Sequence, residues 1–236
     1  MKDEQSIKVG LISKSYKFKK QNYLIHEAKA FEWYMKSAEN GNAEAQNNFG
    51  DCYSNGIGTE KDEVKAFEWY MKSAIAECAE GQSNLGYCYE NGIGTEKDEV
   101  KAFEWYMKSA TAGCAAGQCN LGDCYENGVG IEKDEANAFE WYMKSAIAGC
   151  AEGQCNLGYC YENGIGTEKD EVKAFEWYTK SAVGGHAEGQ FYLGDCYCYG
   201  IGTDKNFTIA LEWYKKASCN GFDEAKDKLH KLGIFY

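Results

Sequence analysis

Apolar residues recur along the chain in two alternating helical patterns, and the pair of patterns returns every 36 residues. Six tryptophans mark the period: Trp33, Trp69, Trp105, Trp141, Trp177 and Trp213. Self-similarity at roughly 20–50 residues signals a solenoid, built from units too small to bury their apolar faces alone. Units beginning at Ala43, Ala79, Ala115, Ala151 and Ala187 give five full repeats over 43–222. A half repeat at 27–42 precedes them and a terminal half at 223–236 follows. Residues 1–26 form a basic N-terminal segment, which reads as a degenerate half repeat only if residues are inserted between Gly10 and Ala30.

Each unit predicts two helices. The first reads AEGQSNLGYCYE or a close variant and ends at Gly56, Gly92, Gly128, Gly164 or Gly200. Glycine takes the left-handed cap conformation there without a Cβ clash. An NGIGTEK-type loop follows, and Asp62, Asp98, Asp134, Asp170 and Asn206 then stand where an N-cap belongs. The second helix, KDEVKAFEWYMKSA in its commonest form, carries two apolar stripes. Phe67, Tyr70, Met71 and Ala74 form one; Ala66, Trp69, Tyr70 and Ser73 form the other. A helix apolar on two sides needs two neighbours, so stacked copies bury what one hairpin cannot. On the polar face Glu68 and Lys72, Glu104 and Lys108, and Glu140 and Lys144 are spaced for i,i+4 ion pairs. The expected fold is all-α, a right-handed superhelical α-solenoid of helix–turn–helix repeats.

Charge and cysteine content refine this picture. The 236 residues carry a net charge of −12, with no arginine and no proline. Residues 1–26 carry +4, so the repeats carry −16. Nucleic-acid binding needs a basic footprint, and none is present on the repeats. No apolar run is long enough to span a membrane, and MKDEQSIKVG lacks the apolar core of a secretory signal. A cytoplasmic location is therefore expected, with the twelve cysteines reduced.

Motifs that suggest chemistry fail on their context. The Gly56-x-Gly58 pair and its copies follow a helix, whereas a phosphate-binding loop follows a strand. The segment from Asp51 to Asp62 spaces acidic and amide groups like a calcium loop, but Tyr53 fills a ligand position and the closing glutamate is absent. His26-Glu27 lacks the second histidine of a zinc-protease helix, and no SxxK or CxxC occurs. No catalytic residue, no cofactor and no metal site is expected. Cys52, Cys88, Cys124, Cys160 and Cys196 precede the core tyrosine and read as buried thiols. Cys78, Cys114 and Cys150 stand at the start of the first helix, where amide dipoles favour a thiolate.

The repeat resembles the Sel-one-like repeat family, helical relatives of the tetratricopeptide repeats. The second unit shows the motif as Ala79, Gln82, Leu85, Gly86, Tyr89, Gly92, Gly94, Asp98, Lys101, Ala102, Trp105, Tyr106, Lys108, Ser109 and Ala110. The resemblance covers about 27–232 and matches five times over. It implies adaptor roles in protein complexes. The cysteine-rich bacterial branch staples its helices through cysteines eight residues apart; Cys119 and Cys155 hold one position of that pair, but Thr111 and Ile147 hold the other.

In tetratricopeptide relatives the first helices line the concave face, and four positions of each point into it. Ten of those twenty positions here are acidic and none is basic. The resemblance thus implies a partner-binding trough made of Glu44, Asp51, Glu80, Glu90, Asp123, Glu126, Glu152, Glu162, Glu188 and Asp195, with aromatic steps at Tyr87, Tyr159 and Phe191. The implied partner is another protein offering a Lys/Arg-rich segment; the basic N-terminal arm could provide such a segment for self-association. Two other activities follow from relatives: β-lactam binding or hydrolysis, as in the cysteine-rich branch, and a regulatory module in a signalling or chitin-synthase complex.

Overall fold

The structure is a computed structural model and describes residues 26–234; the basic arm at Lys14, Lys17, Lys19 and Lys20 lies outside the described residues. All regular secondary structure among the described residues is helical, and the fold is an all-α solenoid. The chain divides into two compact units at Lys97–Asp98. The first contains α1 (26–39), α2 (Ala43–Asn55), α3 (Glu63–Ile75) and α4 (Ala79–Asn91). The second contains α5 (Glu99–Thr111), α6 (Ala115–Asn127), α7 (Glu135–Ile147), α8 (Ala151–Asn163), α9 (Glu171–Val183), α10 (Ala187–Tyr199), α11 (Phe207–Cys219) and α12 (Asp223–Lys231).

Local chemistry sets these boundaries as the sequence predicts. Asp62, Asp98, Asp134 and Asp170 each accept from the amide three residues on at 3.0 Å, and Asn206 does so at 3.1 Å. These amide bonds are the main cause holding all four aspartates below the usual carboxylate range. First helices end on left-handed glycines, Gly56 through Gly200. The loop then closes back on the first helix: Asp134 donates its amide to the Tyr125 carbonyl at 2.9 Å and Asp170 to Tyr161 at 2.8 Å. Phe139 meets the Tyr161 ring edge-on at 5.3 Å, and Phe175 meets Tyr197 likewise at 5.5 Å.

The turn after each second helix also needs a left-handed residue. Gly113, Gly149 and Gly185 supply it in the second unit, but Glu77 fills the same place in the first unit at φ 63°. A Cβ in that region costs about 1–2 kcal/mol. Glu77→Gly is therefore expected to stabilise the protein by up to about 1 kcal/mol, after the entropy glycine adds to the unfolded chain. Urea unfolding at constant m-value checks this, and a lowered midpoint would contradict it.

The core differs from the sequence expectation in one respect. The two stripes of the second helix share Tyr70, and this shared column is the buried one: Tyr142, Tyr178 and Tyr214 are 0% exposed. Tyr142 and Tyr178 pack with Leu157 and Leu193 of the first helices and with Ala138 and Ala174, and Tyr214 packs with Ala210 and Leu229. The tryptophans lie at the margin. Trp177 and Trp213 rest against the cluster of the preceding repeat, and Trp33 is 78% exposed. The lysines expected to pair with glutamates lie over these indoles: Lys72 is 3.6 Å from the Trp69 ring centre, Lys108 3.8 Å from Trp105 and Lys144 3.6 Å from Trp141. A weakly hydrated indole face within reach at i−3 competes well with an exposed carboxylate, whose pair gains little in water.

In the second unit the first helices α6, α8 and α10 pack against one another, while no comparable contact joins α7 to α9 or α9 to α11. The first helices are thus the closer-spaced layer of that unit.

Candidate functional site

The acidic column of the first helices is anchored from beneath by the buried tyrosines. The Tyr142 hydroxyl lies 2.7 Å from Asp123 and 2.6 Å from Glu126, and its single proton is shared between the two carboxylates. Tyr178 donates to Glu162 at 2.7 Å, Tyr214 to Asp195 at 2.6 Å, and in the first unit Tyr70 to Asp51 at 2.8 Å. Burial is the main cause pushing all four phenols far above their ordinary range, so each stays protonated and donates. These carboxylates are consequently held in one position, with neutral donors beneath them. Burial also raises the Asp51 carboxyl, against the lowering effect of the Tyr70 bond.

The asparagine column adds a second tie, from one repeat to the next. Asn156 donates to Asp123 at 3.2 Å and to the Cys119 sulfur at 3.6 Å, and Asn84 donates to Asn47 at 2.9 Å. Sequence reasoning overlooked both columns. The tyrosine donors stand 16 or 19 residues from their acceptors, in a stripe that reads as plain core.

The remaining trough candidates fall into three settings. Glu44 and Glu80 are exposed and border one hollow of the first unit with Asn47 and Cys78, while Glu90 is partly buried. Tyr87 and Tyr159 are open to solvent at 52% and 39%. Glu126, Tyr159 and Glu188 line a pocket between α6, α8 and α10 together with Cys155, Asn156 and Tyr192. Glu152 stands nearby, its carboxyl raised mainly by burial.

Phe191 and Asp195 behave differently because the terminal helix reaches them. Phe191 packs against Phe222 at 5.2 Å and Tyr214 at 5.6 Å, so it serves the end of the solenoid. Lys228 of α12 places its Nζ 3.0 Å from Asp195 and 2.7 Å from the Tyr199 hydroxyl. Its charge lies 4.7 Å from the Tyr199 ring centre and 5.6 Å from that of Tyr214. This lysine is one repeat position with Asn156, so the terminal half unit puts a cation where the inner repeat has an amide.

The thiols separate by setting, and all twelve are unbridged by disulfides. Burial pushes Cys52 up to about 11 and Cys88, Cys160 and Cys196 up to about 12. Cys150 goes the other way, held low by the Cys119 thiol and by the amides of Gly153 and Glu152 at the start of α8. Of the three cysteines at this helix start, Cys78 is buried, with its sulfur 3.5 Å from Glu80, while Cys114 and Cys150 reach solvent. Among the described residues two clusters of metal-ligand type also form, Cys155 with His186 and Glu188, and Cys119 with Asp123 and Glu152. Their members come from different repeats, so no short motif announces them.

The Sel1 repeat family model matches residues 27–42, 43–76, 79–114, 115–150, 151–186 and 187–222. The chain belongs to the Sel1 repeat family. A Sel1 repeat protein from Oxalobacter formigenes is 32% identical over 91% of this chain and 89% of its own, with a TM-score of 0.79. A protective antigen of uropathogenic Escherichia coli with an SLR fold is 35% identical over 87% of this chain, with a TM-score of 0.68; the match spans 44% of that longer chain. An immunity protein from Pseudomonas aeruginosa, at 22% identity over 82% of this chain and 74% of its own and a TM-score of 0.60, shares the fold. No curated protein sequence matches the chain. Sel1 repeats generally act in protein–protein interaction, and their fold is typically a non-enzymatic scaffold. No helix among the described residues is long and apolar enough to cross a membrane.

Proposed function

We propose that this Sel1 repeat protein is a non-enzymatic adaptor whose first-helix face holds a Lys/Arg-rich segment of a partner protein. The solenoid unit of this reading is 27–236, with residues 1–26 as a separate basic arm able to compete for the same face. One observation carries it: Lys228 on Asp195. There the chain itself supplies a lysine to an acidic position of this face, and its ammonium is bound by a carboxylate, a tyrosine hydroxyl and two aromatic rings. Further in, Glu126 and Glu162 receive neutral tyrosine hydroxyls, which orient the carboxylates and leave their charge in place for a cation from outside.

The expected result is that a labelled oligolysine peptide binds the full chain and an oligoglutamate peptide does not. Binding should weaken by at least about tenfold as the Debye length falls from about 10 Å toward 3 Å with added salt. Glu126→Gln with Glu162→Gln tests the face without disturbing the fold, since glutamine still accepts from Tyr142 and Tyr178 while the charge is gone. This pair should reduce affinity for the basic peptide. The matching pair on the second helices, Glu104→Gln with Glu140→Gln, should not. The reverse ranking in fluorescence anisotropy would place the binding surface on the other side and overturn the proposal.

A further inference from the structure

We propose that Cys155, His186 and Glu188 form a binding site for a zinc-class divalent cation, joining α8 to α10. The inference is independent of the basic-partner reading. A thiol, an imidazole and a carboxylate offer one ligand atom each, and these three atoms lie within 4.8 Å of one another. Around a tetrahedral ion with bonds of about 2.0–2.3 Å such atoms stand about 3.5 Å apart, so ordinary side-chain adjustment closes the difference. Sulfur with nitrogen and oxygen suits zinc, whereas calcium and magnesium take oxygen alone.

The surroundings favour a cation. Cys155 is 1% exposed, yet it opens onto the pocket that Glu126 and Glu188 also line. The charges of Glu188 and Glu152 both act on the Cys155 thiol, and that of Glu152 acts on His186 as well, so the field at the site favours a cation. His186 caps α10 through Nδ1, accepting from the Gly189 amide at a long 3.3 Å. A neutral imidazole has one lone pair, so metal binding exchanges this weak cap bond for a metal–nitrogen bond. The thiol loses its proton to solvent as the sulfur–metal bond forms, and no oxidant or reductant is involved.

The repeat supplies its own comparisons. The N-cap column reads Asn42, Cys78, Cys114, Cys150 and His186, so imidazole occurs in one unit alone. The column of Cys155 reads Asn47, Ser83, Cys119, Cys155 and Phe191. One repeat earlier Cys119, Asp123 and Glu152 also lie within 4.8 Å of each other, with carboxylates in place of the imidazole. Neither cluster has a short sequence motif, because 31 residues separate Cys155 from His186 and 29 separate Asp123 from Glu152.

Titration of the reduced, metal-stripped full chain with Co²⁺ alone tests the site. One equivalent should give tetrahedral d–d bands with a thiolate-to-cobalt charge-transfer band, and Zn²⁺ should displace it. His186→Asn and Cys155→Ser place in the site residues the chain already uses in the same columns. Asn42 caps α2 by accepting from Ala45 at 2.7 Å, and Ser83 is buried in its own repeat. Each variant should therefore fold, as circular dichroism verifies, and each should lose affinity by more than about 100-fold, beyond the roughly 10–100-fold that loss of an outer-shell partner causes. Cys119→Ser should keep the full cobalt signal. Three results would overturn the proposal: no cobalt binding, a spectrum without the thiolate band, or a signal lost in Cys119→Ser and kept in His186→Asn.

Discussion

Gly166→Ala is expected to destabilise the protein by about 3–5 kcal/mol, a large effect for one methyl group. Two independent terms add at this residue. Its φ is +64°, where a Cβ costs about 1–2 kcal/mol. The new Cβ would also stand 2.1 Å from the Glu135 carbonyl oxygen and 2.8 Å from the Phe139 Cβ, at the first turn of α7. Backbone cannot rotate aside as a flexible side chain can, so the loop or the whole of α8 has to shift. Gly185→Ala separates the terms. Its φ is +88°, but nothing lies within 4 Å of the added Cβ, so about 1 kcal/mol is expected. Glu77 shows that this second column tolerates a side chain. Equal losses for the two variants in urea unfolding would mean that the loop does not need close approach to α7.

The reason for the Gly-x-Gly pairs was thus legible in the sequence only in outline. Helix before and helix after already exclude a phosphate loop, and Gly164 as a left-handed cap follows from its place after Asn163. The second glycine is different: its partner is Glu135, 31 residues earlier, in the preceding repeat. The same holds for the face. Periodicity places Glu126, Glu162 and Asp195 on one stripe of the first helices, but nothing local says that Tyr142, Tyr178 and Tyr214 donate to them. Nor does charge counting reveal Lys228 on Asp195, because that lysine belongs to the terminal half unit. Intervals within a helix are fixed by 3.6 residues per turn, whereas these contacts are fixed by how one repeat stacks on the next.

Tyr178→Ala is expected to cost about 3–5 kcal/mol, and Trp33→Ala less than about 0.5 kcal/mol. The larger side chain has the smaller effect because burial decides the energy. Tyr178 is 0% exposed, stacks on Tyr192 at 5.1 Å and packs in a cluster with Ala174, Leu193 and Cys196. Its removal leaves a cavity bounded by two helices and takes the donor from Glu162. Trp33 is mostly in water already, so shortening it removes little buried surface. Tyr178→Phe divides the tyrosine effect. It keeps the ring and loses one hydrogen bond to a partly solvated carboxylate, which should cost about 1 kcal/mol, leaving packing as the greater part. Chemical unfolding of the three variants gives the ranking Tyr178→Ala, Tyr178→Phe, Trp33→Ala. If Trp33→Ala proved as costly as Tyr178→Ala, the tryptophan column would be core and the tyrosine column would not carry the solenoid.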